Sequence, residues 1–273
     1  MAGALAGKVV VVTGSTRGIG RAIASECAAQ GARVVVNGRS AGPVDEATAR
    51  IREEGGEATG IVADVSKPDD VQRLFDSTIA AYGHVDVWFN NAGLPGGFRP
   101  LHEMPAADLL DIADVNFGGM MLCCRLVVPH MREHGGVIVN LCGRGSRGEI
   151  AAYGAPYAAS KAADASLTRS LAAENKDARE LSIVGLIPGM VPTDFYAKME
   201  VSPSLEDKRE NVMIALDAFH VSPEEVGAFA AGLAAMRPGS GTGKIHTIMS
   251  TARTMRGVAK IVRARMTGRM RRL

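Results

Sequence analysis

The chain has 273 residues, of which 47% are hydrophobic and 22% are charged, and its net charge is +2. This balance is typical of a soluble globular protein that buries a substantial core. The four cysteines include no CxxC pair, which argues against a disulfide framework and favours reduced thiols in a cytoplasmic protein. The N-terminus has no signal-peptide pattern, and no run of about 18 apolar residues predicts a membrane span.

Apolar strands alternate with helices along the first two thirds of the chain. The predicted strands cover Lys8–Thr13, residues 32–38, Ala58–Val62, Val85–Asn90, Gly136–Leu141 and Ser182–Ile187. The predicted helices cover Gly18–Gly31, Val44–Glu54, Asp69–Tyr82, Ala106–Glu133 and Pro156–Asn175. This alternation indicates a parallel sheet covered on both faces. We therefore predict an α/β fold of Rossmann type, a doubly wound parallel sheet in three α/β/α layers, as one domain over residues 1–250.

A glycine-rich turn, "TGSTRGIG", follows the first strand and opens the first helix. Gly14, Gly18 and Gly20 suit a tight turn, close approach of the backbone to a phosphate, and close packing of the helix on the sheet. Free N–H groups at the helix N-terminus favour a pyrophosphate. The turn predicts a dinucleotide site whose other members are Ser15, Thr16, Arg17 and Ile19.

The end of the second strand indicates which dinucleotide binds. An NAD enzyme usually has an acidic residue there, but this strand ends "VVVNGRS" and supplies Arg39. Arg17 in the glycine-rich turn would approach the same point. Two guanidinium groups suit a 2′-phosphate, so the sequence favours NADP(H). The alternative is that both arginines are solvated surface residues.

Three motifs in order, "TGSTRGIG", "NNAG" at Asn90–Gly93 and "YAASK" at Tyr157–Lys161, resemble the short-chain dehydrogenase/reductase family. The resemblance covers about the first 250 residues and implies an oxidoreductase that assembles as a dimer or tetramer, while the expectation of NADP(H) rests on Arg17 and Arg39. It implies a substrate lid at about 190–220. We expect a small-molecule substrate, no bound metal and no nucleic-acid partner. The cofactor contacts that it implies are Asp64, Val65, Asn91, Ala92, Gly93, Pro188, Gly189, Val191 and Thr193.

Tyr157 and Lys161 form the predicted proton-transfer pair. Residues four apart share one face of a helix, so the ammonium is expected beside the phenol. A nearby cation favours phenolate and would lower the pKa of Tyr157 towards neutrality. The family resemblance adds that Lys161 binds the ribose hydroxyls and that Asn116 holds a water beside the lysine. Asn116 would otherwise be a satisfied polar residue within a long helix.

The loop after the fifth strand departs from the family pattern. Where the family has a catalytic serine, usually in "NISS", this chain reads "NLCG", with Cys142 and Gly143. Three interpretations remain open: Arg144 or Ser146 replaces the missing donor, the tyrosine suffices, or the protein binds NADP(H) with weak or no turnover in a regulatory or scaffold role. Candidate substrate contacts are Gly143, Arg144, Ser146, Met190 and Phe195, with Arg99 and Arg147 expected at the rim and Tyr196 and Met199 in the lid.

The C-terminal extension, residues 251–273, holds seven arginines, one lysine and no acid, so the rest of the chain carries about −6. Gly257 and Gly268 weaken a helix here. A basic amphipathic helix would contact an anionic membrane, an acidic partner or a neighbouring subunit; a disordered extension is the alternative. The apolar side chains recur at helical spacing: Met255, Val258, Val262, Met266, Met270 and Leu273.

Overall fold

A computed structural model describes residues 3–197 and 199–268. It contains a seven-stranded parallel sheet with strand order β3-β2-β1-β4-β5-β6-β7. The strands are β1 (Val9–Val12), β2 (Arg33–Gly38), β3 (Glu57–Val62), β4 (Val87–Asn90), β5 (Gly136–Leu141), β6 (Leu181–Ile187) and β7 (Ile245–Thr247). The predicted doubly wound α/β fold is therefore confirmed.

Helices cover both faces of this sheet. They are α1 (Gly18–Ala29), α2 (Ala41–Glu53), α3 (Pro68–Tyr82), α4 (Ala106–Ile112), α5 (Gly119–His134), α6 (Ala155–Glu174), α7 (Asp194–Ala197), α8 (Arg209–Ala218), α9 (Pro223–Ala234) and α10 (Thr251–Met266). Short 3₁₀ turns lie at Leu101–Glu103 and Pro203–Lys208, and a π-helical turn, Ala113–Gly118, joins α4 to α5.

The central strand shows why the sheet is buried on both faces. In β1, the side chains of Val10 and Val12 belong to the core under α1 and α9, whereas Val11 belongs to the core on the opposite face. Adjacent residues of a strand point to opposite faces, so an unbroken run of valine serves two cores. This arrangement brings the carboxyl ends of all seven strands to one edge.

The helical run Ala106–His134 is long and apolar enough to cross a membrane by length and composition alone. In its most apolar window, 44% of the residues are buried inside the protein. Met120, Val127 and Met131 pack in the core beneath the sheet. Buried core helices commonly meet the same criteria, so the run is weak evidence of a membrane span.

The C-terminal extension is helical over Thr251–Met266, and this helix packs against α8. Ser250 caps its N-terminus by accepting a hydrogen bond from Arg253 N at 3.2 Å. Gly257, expected to weaken the helix, lies instead against the ring of Phe219, where a side chain would collide. Met270 and Leu273, the last two residues of the predicted apolar stripe, lie outside the described residues.

Candidate active site

A cavity of about 800 Å³ opens at the carboxyl edge of the sheet. Every strand contributes at or just after its last residue, from Gly14 beyond β1 to Thr247 at the end of β7. Ligands of doubly wound folds bind at this edge. Most predicted site residues line the cavity: Gly14, Thr16, Arg17, Gly18, Ile19, Gly20, Arg39, Asp64, Val65, Asn91, Ala92, Gly93, Gly143, Arg144, Tyr157, Lys161, Pro188, Gly189, Met190, Val191, Thr193 and Phe195.

The glycine-rich turn requires glycine for steric reasons. Gly14 has a φ of 62°, and a Cβ there would lie 2.8 Å from the Cα of Ala92. Gly18 has a φ of 57° and faces Thr193. L-residues with side chains rarely adopt such φ values. The turn is thus a bare backbone cradle at the N-terminus of α1, which fits a pyrophosphate.

Buried polar side chains brace this cradle. The side-chain oxygen of Asn37 accepts a hydrogen bond from Gly14 N at 3.2 Å. Ser15 does not line the cavity: its hydroxyl donates to the Val12 carbonyl at 2.7 Å and accepts from Asn37 N at 3.0 Å. The prediction that Ser15 contacts the cofactor is therefore wrong for its side chain. Asn37 was missed because a buried asparagine within an apolar strand carries no motif of its own.

Two arginines that line the cavity bear on the predicted choice of dinucleotide. Arg39 is exposed and lines the cavity, as does Arg17. Arg17 also forms an ion pair with Asp194 in α7, with 3.3 Å between Nη1 and Oδ2. This pair joins the glycine-rich turn to the lid segment across the cavity. Arg39, just beyond β2, thus stands where an acidic residue would mark an NAD site, whereas Arg17 is already paired with a carboxylate.

Tyr157 and Lys161 share one face of α6 as predicted, and the ammonium lies within cation–π range of the phenol ring, but its hydrogen bonds go to other groups. Lys161 Nζ lies 5.8 Å from the centroid of the Tyr157 ring. It donates instead to the Leu141 carbonyl at 2.7 Å and to Asp164 Oδ2 at 2.9 Å. The lysine and aspartate side chains are 6% and 0% exposed, so this is a buried ion pair.

The expected lowering of the Tyr157 pKa is wrong for this arrangement. Burial raises the pKa of Tyr157 above its ordinary value, and the charge of Asp164 raises it further. Because Asp164 neutralises Lys161, the ammonium does not offset these effects. The phenol is therefore neutral at physiological pH and holds a proton that it can donate.

Asn116 is buried in the π-helical turn and does not line the cavity. Its amide nitrogen donates to the Leu94 carbonyl and to the Ser160 hydroxyl, both at 3.1 Å. Its oxygen accepts from Leu94 N at 2.7 Å. Both side-chain N–H groups are thus engaged, and Asn116 braces α6 against the loop after β4. The side chain has no free donor for the predicted water beside the lysine.

Ser146, the serine of the loop after β5, supplies no free hydroxyl to the cavity. Ser146 is buried, donates to the Lys161 carbonyl at 2.9 Å and accepts from Gly143 N at 3.0 Å. The suggestion that Ser146 replaces the missing serine is therefore wrong for this conformation. A Cβ at Gly143 would lie 2.7 Å from the Tyr157 hydroxyl, so the phenol fills the space of a side chain.

The lid brings a second phenol into the cavity. Phe195 contacts the rings of both Tyr157 and Tyr196, with centroids 5.4 Å and 5.2 Å apart. Tyr196 lines the same cavity, and burial raises its pKa, so it too remains a proton donor. Sequence reasoning assigned Tyr196 to lid packing, because only the fold places it beside Tyr157. It missed Asp164, although the spacing of three residues from Lys161 along α6 was a usable signal.

The expected ring of arginines at the mouth is only partly present. Arg144 and Arg147 line the cavity. Arg99 does not: its guanidinium is largely buried and pairs with Asp108 at 2.7 Å and Glu200 at 3.0 Å. Arg99 thus ties the loop after β4 to α4 and to the lid.

Comparison with known proteins agrees with this geometry. A family model described as short chain dehydrogenase matches residues 8–202. The 3beta-hydroxysteroid dehydrogenase 1 of Eggerthella lenta is 38% identical over 239 residues, which cover 84% of this chain and 87% of that protein. The structure of levodione reductase superposes with a TM-score of 0.81 at 27% identity, covering 92% of this chain and 99% of that one. The chain belongs to the short-chain dehydrogenase/reductase family, a family of oxidoreductases.

Two further structures of similar proteins contain nicotinamide cofactors. A variant of actinorhodin polyketide ketoreductase with NADPH has a TM-score of 0.75 at 29% identity, covering 89% of this chain and 95% of that one. The 3-ketoacyl-(acyl-carrier-protein) reductase of Brucella melitensis with NADH has a TM-score of 0.75 at 26% identity, covering 89% and 97%. The choice between NADP and NAD in this chain therefore depends on its own residues.

Proposed function

We propose that the protein is an NADP(H)-dependent oxidoreductase that transfers a hydride between the nicotinamide and a carbonyl or alcohol substrate. The observation that best supports this proposal is a single cavity lined both by the glycine-rich turn and by Tyr157 and Lys161. The bound cofactor would supply or accept the hydride. The protein would bind and orient it, exclude water and move the proton.

The cofactor-binding roles follow from positions around the cavity. The turn from Gly14 to Gly20 would bind the pyrophosphate, and Arg17 and Arg39 the 2′-phosphate. The family resemblance assigns the adenine to Asp64 and Val65, the ribose side to Asn91–Gly93, and the nicotinamide carboxamide to residues 188–193. A 2′-phosphate would compete with Asp194 for Arg17, since the two side chains are 3.3 Å apart.

The proton would come from Tyr157. In the reducing direction its neutral phenol donates to the substrate oxygen as the carbonyl becomes an alcohol. Lys161 would contact the ribose hydroxyls, and Asn116 would maintain the loop and helix around it. We assign the second hydrogen bond to the substrate oxygen to the hydroxyl of Tyr196, because the loop after β5 offers no free serine hydroxyl. The guanidinium of Arg144, which also lines the cavity, is the alternative donor.

The lid side of the cavity is suited to a partly apolar substrate. Met190, Phe195, Phe219 and Met249 line it. Since the Eggerthella lenta relative is a 3beta-hydroxysteroid dehydrogenase, a 3-oxosteroid is the first ketone to test, beside smaller ketones and aldehydes. Purified protein would be incubated with NADPH or NADH and each substrate while cofactor absorbance is followed. Binding of NADPH without substrate-dependent consumption would instead favour a nucleotide-binding protein with a regulatory role.

We also propose that residues 1–250 form the cofactor-binding domain, which assembles as a cytoplasmic homodimer or homotetramer. Leu110 on α4 and Met121 on α5 are exposed apolar side chains that support a subunit contact. Light scattering after size-exclusion chromatography would give the mass. A monomeric mass at micromolar concentration would contradict this assembly.

A further inference from the structure

An apolar stripe runs along the outer side of α10. At about 100° per residue, Met255, Val262 and Met266 fall within roughly 40° of one another, with Val258 beside them. These four side chains are 68%, 49%, 83% and 49% exposed in that order. A contiguous exposed apolar row of this kind usually marks an interaction surface.

The opposite side of α10 attaches the helix to the protein. Gly257 packs against Phe219. Arg253 pairs with Glu225 at 2.6 Å, and Lys260 pairs with Asp217 at 3.2 Å. Because these contacts attach the opposite side of the helix, the apolar stripe faces away from the body of the protein.

Arginines border the stripe on both sides. On the helical wheel, Arg256 and Arg263 follow one edge and Arg265 follows the other. None of the described acidic side chains forms an ion pair with these three. The surface therefore presents apolar side chains between unpaired cations, which complements anionic headgroups above acyl chains.

We propose that α10 docks on an anionic lipid surface, with its apolar stripe at the level of the acyl chains and the bordering arginines at the headgroups. A second copy of this helix fits less well, because pairing two such stripes would bring like charges together. Thr254 of α10 lines the cavity, as does Phe219 beneath it. Docking would thus place the cavity next to the lipid, where an apolar substrate of the proposed function partitions.

The test is flotation of the full-length protein with vesicles of phosphatidylcholine alone or with phosphatidylglycerol added. Binding is expected only to the anionic vesicles and should weaken as salt rises. Replacing Arg256 and Arg263 with alanine should lower the partition coefficient roughly thirtyfold. V258D/V262D should abolish binding, whereas L101D, at an exposed apolar site in the 3₁₀ turn after β4, should not. Because flotation requires no turnover, its outcome is independent of the proposed function.

Two outcomes would overturn the proposal. One is equal binding of the wild type and V258D/V262D to anionic vesicles. The other is absence of vesicle binding together with a lower oligomeric mass for V258D/V262D, which would make the stripe a contact between subunits. Circular dichroism of each variant would verify that it is folded.

Asp164 carries a second, independent inference, which rests on the proposed role of Tyr157. It is wholly buried one turn after Lys161, and its Oδ1 has no hydrogen-bond partner within the described part of the chain. The charged and titratable groups that act on it or are affected by its charge are Lys161, Tyr157, Cys124 and Cys142. Lys161 is the only cation among these four groups.

We propose that Asp164 is a positioning residue that binds the Lys161 ammonium, compensates its charge and so keeps Tyr157 protonated. Removing the carboxylate would leave Lys161 as an uncompensated cation near Tyr157. For D164N we expect the alkaline limb of the pH profile for alcohol oxidation to move to lower pH by about one to two units. T168V, which removes a buried hydroxyl one turn further along α6 without changing charge, should leave that limb in place.

The second measurement requires no activity. Phenolate formation would be followed by ultraviolet absorbance, with Y157F subtracted, for the wild type and D164N. Wild-type Tyr157 should ionise above the ordinary tyrosine value of about 10 and the variant below the wild type. Ionisation of wild-type Tyr157 below that value would overturn the inference, and this measurement does not depend on whether D164N folds. Identical titrations of the two folded proteins would overturn it as well. Titration as expected without turnover would instead count against the proposed function alone.

Discussion

Gly143 occupies the position where a hydroxyl would be expected, and the phenol of Tyr157 fills the space beside it. A serine there would collide, since its Cβ would lie 2.7 Å from the Tyr157 hydroxyl. We expect G143S to lower ketone reduction by roughly tenfold to a hundredfold through displacement of the phenol. G154S, where the nearest atom to a Cβ is 3.9 Å away, is the matched control. A higher rate for G143S would mean that the loop readily adopts the usual family arrangement.

Tyr157 and Tyr153 lie in the same segment but differ in surroundings. Tyr153 has a φ of 63° and its ring packs on Phe98 at 5.2 Å, whereas Tyr157 lines the cavity. We expect Y157F to reduce kcat by about a hundredfold or more, because it removes the proton donor, and Y153F to change it little. Steady-state kinetics of both variants would check this, and full activity of Y157F would refute the assignment.

Single residues were predictable where chemistry follows from spacing along one helix. Tyr157 and Lys161 are an example, since four residues bring them to one face of α6. The engagement of Ser146 by the Lys161 carbonyl depends instead on how the loop after β5 folds back. Such contacts between distant segments leave no periodic signal in the sequence.

The end of β2 is the element on which cofactor choice depends. Arg39 is the first charged residue beyond this strand, and no acid stands in its place. We expect R39D to raise the KM for NADPH about ten- to a hundredfold, by loss of one charge-assisted contact and repulsion of the phosphate. The KM for NADH should fall or stay unchanged. R50D, at an exposed position of α2, is the control. Equal changes in the KM for NADPH and for NADH in R39D would contradict recognition of the 2′-phosphate.

Elements were predictable in proportion to the strength of their pattern. The strands through β6 were located within two residues because β-branched runs ended by turn residues are distinctive. Helix α9 was missed, although Ser222 and Glu225 form a capping box at its start. The π-helical turn at Ala113–Gly118 was also missed, because the long helix predicted over Ala106–Glu133 shows no sequence signal for an extra residue per turn.

At the scale of the whole molecule, the four cysteines are distributed through the buried interior. Burial raises the pKa of all four thiols, that of Cys142 to about 11, so thiolate is scarce at neutral pH. We expect an aromatic disulfide reagent to label none of them rapidly in the native protein and all four after denaturation. Rapid labelling of Cys142, which lines the cavity, would show that the loop after β5 opens readily.

The parallel order of the sheet bears on how the chain is synthesised. The ribosome releases β1 to β5 first, and β5 then exposes an unpaired edge until Leu181–Ile187 emerges. The lid and Thr247 come later still, so the nascent chain has a nearly complete sheet before it has a closed cavity. Translation that stalls between residues 141 and 181 would therefore leave an aggregation-prone intermediate, which no bound nucleotide stabilises. We expect the need for chaperones to be greatest in that interval.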